Sequence, residues 1–263
     1  MNTSEIVVTG AASGIGAQTV EVLRALGATV IGVDRDAPAT EDISFVQADL
    51  STPAGVERAV DGIRNLAQGS IHGVANIAGV PGTAPWELVH RVNVFGLRDL
   101  TTGLVPLIVP GGSIVNLASA VAYRWRELMP ELAQFCAHPS IDDALAMAAD
   151  APAIREHSYL FSKQCVRYLT ELQAATLVEH RIRVNSVSPG PIETPILDDF
   201  KADHGKDKVE GAREALGRFG QPTDVANVVA HLFNDSMSWV NGTDIRVDGG
   251  LTALREMAAA RVQ

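Results

Sequence analysis

Short apolar runs of strand length alternate along this chain with stretches in which apolar residues recur at helical spacing. The runs cover residues 6–9, 29–34, 43–47, 73–77, 113–117, 183–187 and 244–247, and helices are expected between them. The first helix is legible as a stripe at Ile15, Thr19, Val22, Leu23 and Leu26, stopped by Gly27. The runs are β-branched and scarcely alternate with polar residues, as expected of strands buried on both faces. The pattern predicts an α/β fold with one doubly wound, parallel, seven-stranded sheet. Between residues 120 and 157 the rhythm stops. Two helix-like pieces are expected there, one over 126–136 and one starting at Ser140 with a capping-box-like Asp143. This stretch is too short to carry its own core, so the chain reads as a single domain, 1–263, with an insertion.

Composition narrows the class. Hydrophobic residues at 46% and charged residues at 20% fit one globular domain, and a net charge of −10 opposes a nucleic-acid partner. Cys136 and Cys165 are too few for a disulfide framework or a zinc ribbon, so no metal is expected and a reducing cytoplasm is. No apolar run reaches the roughly 18 residues of a membrane helix, and residues 1–5 lack a basic leader.

The first candidate chemistry is the turn from Thr9 to Gly16, which follows a strand and opens a helix. Gly10 suits a tight turn, while Ser13, Gly14, Ile15 and Gly16 bring backbone N–H groups and a helix N-terminus to a pyrophosphate. That placement makes a dinucleotide-binding, Rossmann-type start. Asp34 ends the second strand about 20 residues on, where a carboxylate holds ribose hydroxyls and repels a 2′-phosphate. NAD is therefore expected over NADP, although Arg35 beside it could tolerate a phosphate.

Tyr159 and Lys163 stand four residues apart in a helical stretch and so share a face. A phenol with a reference pKa near 10 is a poor base at neutral pH; a neighbouring ammonium favours the phenolate. Lowering it to about 7 takes roughly 4 kcal/mol of differential interaction.

Taken together, the Thr9–Gly16 turn, Asp49-Leu50, Asn76-Ile77-Ala78-Gly79, Asn93, Ser119, Tyr159 with Lys163, and Pro189-Gly190 with Thr194 resemble the short-chain dehydrogenase/reductase superfamily over nearly the whole chain. The resemblance implies an oxidoreductase acting on CH–OH donors. Ser119 would hold the substrate oxygen, Tyr159 would be the acid/base, Lys163 would bind the nicotinamide ribose, and Asn93 would anchor a water of the proton relay. It further implies that Asp49 and Leu50 contact adenine, that Asn76 and Gly79 line the adenosine side, that Ile192 and Thr194 hold the carboxamide, and that Ala78 and Pro189 also belong to the cofactor site. Two departures stand out. Ile77 replaces the usual second asparagine, and Ser119 and Tyr159 are 40 positions apart (159 less 119), where most of the family has little more than a dozen.

The long insertion is similar to that of the bacterial 3-alpha-hydroxysteroid dehydrogenase/carbonyl reductase subgroup, and residues 6–10, 27–35 and 76–83 resemble the coniferyl-alcohol dehydrogenases. A small hydrophobic alcohol or carbonyl substrate follows from the resemblance, with the bulky aromatic alcohol as first reading. Trp125, Leu128, Met129 and Phe135 are candidates to face it, or to pack the inserted helices. The insertion is expected near the substrate cleft and beside the helices starting around Trp86 and His157, which favours a homodimer over a tetramer. A zinc alcohol dehydrogenase lacks ligand spacing here, and a non-catalytic NAD-sensing protein would not need Asn93, Ser119, Tyr159 and Lys163 together.

Overall fold

The computed structural model describes residues 4–40, 42–67 and 69–260. Residues 1–3, part of the segment read as lacking a leader, lie outside the described residues.

The chain runs β1 (Glu5–Thr9), α1 (Gly14–Ala25), β2 (Thr29–Asp34), β3 (Ser44–Gln47), α2 (Pro53–Leu66) and β4 (Ile71–Asn76). Then come α3 (Trp86–His90), a π-helical turn (Arg91–Gly96), α4 (Leu97–Leu104) and β5 (Ile108–Leu117). The inserted helices are α5 (Met129–Ala137), α6 (Ile141–Ala148) and α7 (Pro152–Glu156), followed by α8 (Ser158–Thr176) and β6 (Arg183–Pro189). The chain closes with α9 (Leu197–His204), α10 (Lys206–Leu216), α11 (Pro222–His231), β7 (Asp244–Val247) and α12 (Leu251–Ala260).

All seven strands pair in parallel in the order β3-β2-β1-β4-β5-β6-β7, with the order reversing beside β1. Val7 faces one core with Ile31, Ile63, Leu100 and Leu104, whereas Ile6 and Val8 face the other with Val20, Leu23, Val225 and Val229. Burial on both faces explains the unbroken apolar runs. Each fully buried Leu, Ile or Val contributes about 1.5–3 kcal/mol relative to exposure. Local signals set the boundaries. Thr52 caps α2 by accepting from Gly55 N at 3.1 Å, with Pro53 at the first helical position, and Ser140 Oγ accepts from Asp143 N at 3.2 Å to start α6.

Three strands begin earlier than the pattern suggests: β1 at Glu5, β4 at Ile71 and β5 at Ile108. β5 starts at Ile108 because the ladder to β4 shifts register around Pro110-Gly111-Gly112, a triplet that reads as a turn. Residues 197–216 form α9 and α10.

The insertion builds a third cluster. Trp125, Leu132, Phe135, Cys136, Ala144, Leu145 and Ala148 pack on Val94, Phe95 and Leu97 and on Phe161, Cys165, Val166 and Leu169 of α8. Trp125 and Phe135 are therefore core residues, 3% and 7% exposed, rather than cleft residues.

Candidate active site

The carboxyl ends of the strands open on a cleft of about 930 Å³, beside the point where the strand order reverses. Gly10, Ser13, Gly14, Ile15 and Gly16 form its floor. Gly16 is irreplaceable on steric grounds, since a Cβ there would lie 1.9 Å from the Gly10 carbonyl oxygen. At one end of the wall stand Asp34, Arg35, Asp36, Asp49 and Leu50. Asp34 Oδ2 accepts from Ala12 N at 2.9 Å and Oδ1 from Asp36 N at 3.2 Å, so the carboxylate is held rigid beside the turn. Ala78 and Gly79 continue the wall, positioned because Thr9 Oγ1 accepts from the N–H groups of Ile77 and Ala78, each at 3.0 Å. The length of this run and its glycine floor fit a dinucleotide.

At the other end Ser119, Tyr159 and Lys163 meet Pro189, Ile192 and Thr194. Ser119 hydrogen-bonds the Tyr159 phenol, and the Lys163 ammonium lies 5.7 Å from the centre of the Tyr159 ring. Lys163 Nζ donates to the Leu117 carbonyl at 2.8 Å. Burial lowers the Lys163 pKa from 10.5 to about 8. Burial likewise pushes the Tyr159 phenol above its ordinary value; the Ser119 bond lowers it, and the Asp203 carboxylate raises it further. The direction is thus opposite to the expected lowering of the phenol by Lys163. A dry cleft penalises phenolate and ammonium alike.

Two expected residues stand behind the wall. Asn93, 1% exposed, donates from Nδ2 to Val80 O at 3.1 Å and to Ser162 Oγ at 3.2 Å and accepts on Oδ1 from Val80 N at 2.9 Å. It borders the cleft through Val80 and through Gly79, where a Cβ would lie 3.2 Å from Asn93 Oδ1 and 3.5 Å from Lys163 Nζ. Asn76 does not line the adenosine side as expected. Its Nδ2 donates to Thr101 Oγ1 and Asn116 Oδ1, each at 2.9 Å, tying β4 to α4 and β5. It ends a strand, where the alternation of the pleat turns its side chain under the sheet.

Sequence reasoning missed the groups that close the far end: Val121, Tyr123 and Arg124 at the start of the insertion, Ile196 and Val209 around α9 and α10, and Leu251, Thr252 and Arg255 of α12. The apolar spacing of Leu251 and Leu254 after Gly249-Gly250 is the signal that would have revealed α12.

A Rossmann-type sheet with a serine, a tyrosine and a lysine gathered at the far end of a dinucleotide-sized cleft defines an oxidoreductase that uses a nicotinamide cofactor. The family model described as short chain dehydrogenase matches residues 4–131, and that described as Enoyl-(Acyl carrier protein) reductase matches residues 145–252. The chain is 37% identical over 254 residues to a coniferyl-alcohol dehydrogenase of Pseudomonas sp. (strain HR199 / DSM 7063), covering 96% of this chain and 98% of the relative. It is 32% identical to a 3-alpha-hydroxysteroid dehydrogenase/carbonyl reductase of Comamonas testosteroni, covering 95% and 97%. Among solved structures, 3-alpha-hydroxysteroid dehydrogenase from Pseudomonas sp. B-0831, complexed with NADH, aligns with a TM-score of 0.82 at 34% identity, covering 97% and 99%. The chain belongs to the short-chain dehydrogenase/reductase family, and it is an oxidoreductase acting on CH–OH donors.

Proposed function

We propose that this enzyme uses NAD to interconvert a bulky aromatic alcohol and its aldehyde, as the coniferyl-alcohol dehydrogenase name implies for its relative. One observation carries the reading. Tyr159 and Ser119 share a hydrogen bond at the end of a cleft whose far wall offers Val121, Tyr123, Ile196, Val209 and Leu251 to an apolar body. The wall at the other end holds Asp34 and Asp36, two carboxylates that oppose a 2′-phosphate, with Arg35 already paired to Asp36.

In alcohol oxidation the Tyr159 phenolate accepts the hydroxyl proton while Ser119 donates a hydrogen bond to the developing carbonyl oxygen. The cofactor supplies the hydride acceptor and, when oxidised, a positive charge. Lys163 would hold the ribose, and Asn93 would steady the water through which the proton leaves. Glycines 10, 14 and 16 and Ser13 would receive the pyrophosphate, Asp49 and Leu50 the adenine, and Ile192 and Thr194 the carboxamide, with Pro189 beside them.

A panel of alcohols with NAD or NADP, read by absorbance of the reduced nicotinamide and headed by coniferyl alcohol and a 3-alpha-hydroxysteroid, tests the reading. Turnover of the steroid alone would favour the second reading, which the Comamonas and B-0831 relatives support. No turnover of any alcohol, with NAD still bound, would favour a binding protein. A reducing, cytoplasmic setting fits the buried free thiols of Cys136 and Cys165, and among the described residues no helix is long and apolar enough to cross a membrane.

A further inference from the structure

Asn93 sits in the π-helical turn between α3 and α4, in a rod that stays in right-handed helical geometry from His90 to Leu97. Four consecutive residues, Asn93, Val94, Phe95 and Gly96, are buried, which one face of a helix cannot achieve against a single neighbour. The rod is clamped from two sides. Gly96 lies against the Leu50 backbone, where a Cβ would come within 2.4 Å of the carbonyl oxygen, and Asn93 faces Gly79 and Ser162. The other side belongs to the insertion.

Three rod residues and Arg98, just beyond it in α4, meet it. His90, fully buried, donates from Nε2 to the Ile154 carbonyl at 3.3 Å, and its ring stands edge-on to Phe135 at 5.2 Å. Arg91 is paired with Asp142 of α6. Phe95 packs on Phe135 at 5.1 Å. Arg98 donates from Nη1 to the carbonyls of Cys136 at 2.8 Å and His138 at 2.7 Å, at the C-terminus of α5, with its guanidinium 4.9 Å from the centre of the Phe95 ring. Among the described residues, no side chain of 125–156 lines the cleft.

We propose that residues 125–156 form a buttress that positions Asn93, acting through Phe135 on His90 and Phe95 and through the α5 carbonyls on Arg98. The inference rests on the reading of Asn93 as part of the proton relay. Its amide is fixed by three hydrogen bonds, and the missing side chain of Gly79, where a Cβ would lie 3.2 Å from Oδ1, leaves it in place, so a small shift of the rod misaligns it. Removing the Phe135 ring leaves a space into which Phe95 and His90 relax, and the rod follows.

The test combines Phe135→Ala, Asn93→Ala and the double variant, with coniferyl alcohol and NAD as probes, at a temperature where circular dichroism shows each protein folded. Phe135→Ala should lower kcat by about tenfold, with KM and the NAD Kd within about twofold and a larger solvent isotope effect on kcat. In the double variant the two losses should not multiply, because both act through one amide. Phe135→Leu, which refills much of the space, should restore most of kcat. If the alanine variant does not fold, Arg98→Lys takes its place, with the same expected fall in kcat and the same failure to multiply with Asn93→Ala. Losses that multiply in the double variant, or a KM effect with unchanged kcat, would overturn the buttress while leaving the relay standing. Full kcat in Asn93→Ala would remove the relay, and the proposal with it.

Discussion

Lys163 donates from Nζ to the Leu117 carbonyl at 2.8 Å, which ties the ammonium on α8 to the last residue of β5. The cation is thereby held at the strand end that also leads to Ser119, instead of swinging on a flexible stem. Lys163→Ala should weaken NAD binding and turnover together, since one ammonium serves both. Tyr159→Phe should lower kcat by about a hundredfold or more while NAD still binds. NAD titration beside steady-state kinetics separates the two, and near-full turnover in Tyr159→Phe would remove the tyrosine from the mechanism.

Cofactor choice is expected to rest on Asp34, whose two oxygens are held by the N–H groups of Ala12 and Asp36. Asp34→Ala should weaken NAD and relatively favour NADP, read as the ratio of kcat/KM for the two cofactors. An unchanged ratio would count against the assignment.

The phenol is raised by burial and by Asp203, so alcohol oxidation, which needs the phenolate, should climb into the alkaline range, and carbonyl reduction, which needs the phenol, should hold at neutral pH. Asp203→Asn removes a charge that opposes the phenolate and should move the oxidation profile to lower pH. A pH profile that does not move would show that Asp203 is too well screened to matter.

His90 is neutral in the fold, its pKa lowered by burial from 6.5 to about 4 against a smaller raising effect of the Ile154 carbonyl. The unfolded chain therefore binds a proton at higher pH than the folded one. The stability this confers is complete above about pH 6.5 and is lost as the pH falls towards 4, by about 3 kcal/mol. Urea denaturation between these pH values should show the loss in the native protein and a flatter dependence in His90→Phe.

The insertion covers the outer side of α3, the π-helical turn and α8, so a stable assembly is expected to use another surface and to be a dimer. Light scattering in dilute solution measures this, and a stable tetramer would contradict it.

The inner strands were legible because they are buried on both faces and so leave unbroken apolar runs, as in Thr29–Asp34, whereas the edge strands β3 and β7 are partly exposed. The glycine turn, Asp34, and the pairing of Tyr159 with Lys163 were legible for a related reason: their geometry is set within a few residues by a turn or a helical repeat. What the sequence alone could not decide depends on distant contacts. Asn76 and Asn93 are both asparagines that the resemblance singles out, yet one is turned under the sheet to Thr101 and Asn116 while the other reaches Ser162 on α8, a partner 69 positions away. Trp125 and Phe135 suit an apolar ligand as well as an apolar core, and only the docking of α5 on Phe95 and α8 settled which they meet. The direction of the Tyr159 shift was decided in the same way, because desolvation is a property of everything folded around the phenol, and no spacing along the chain encodes it.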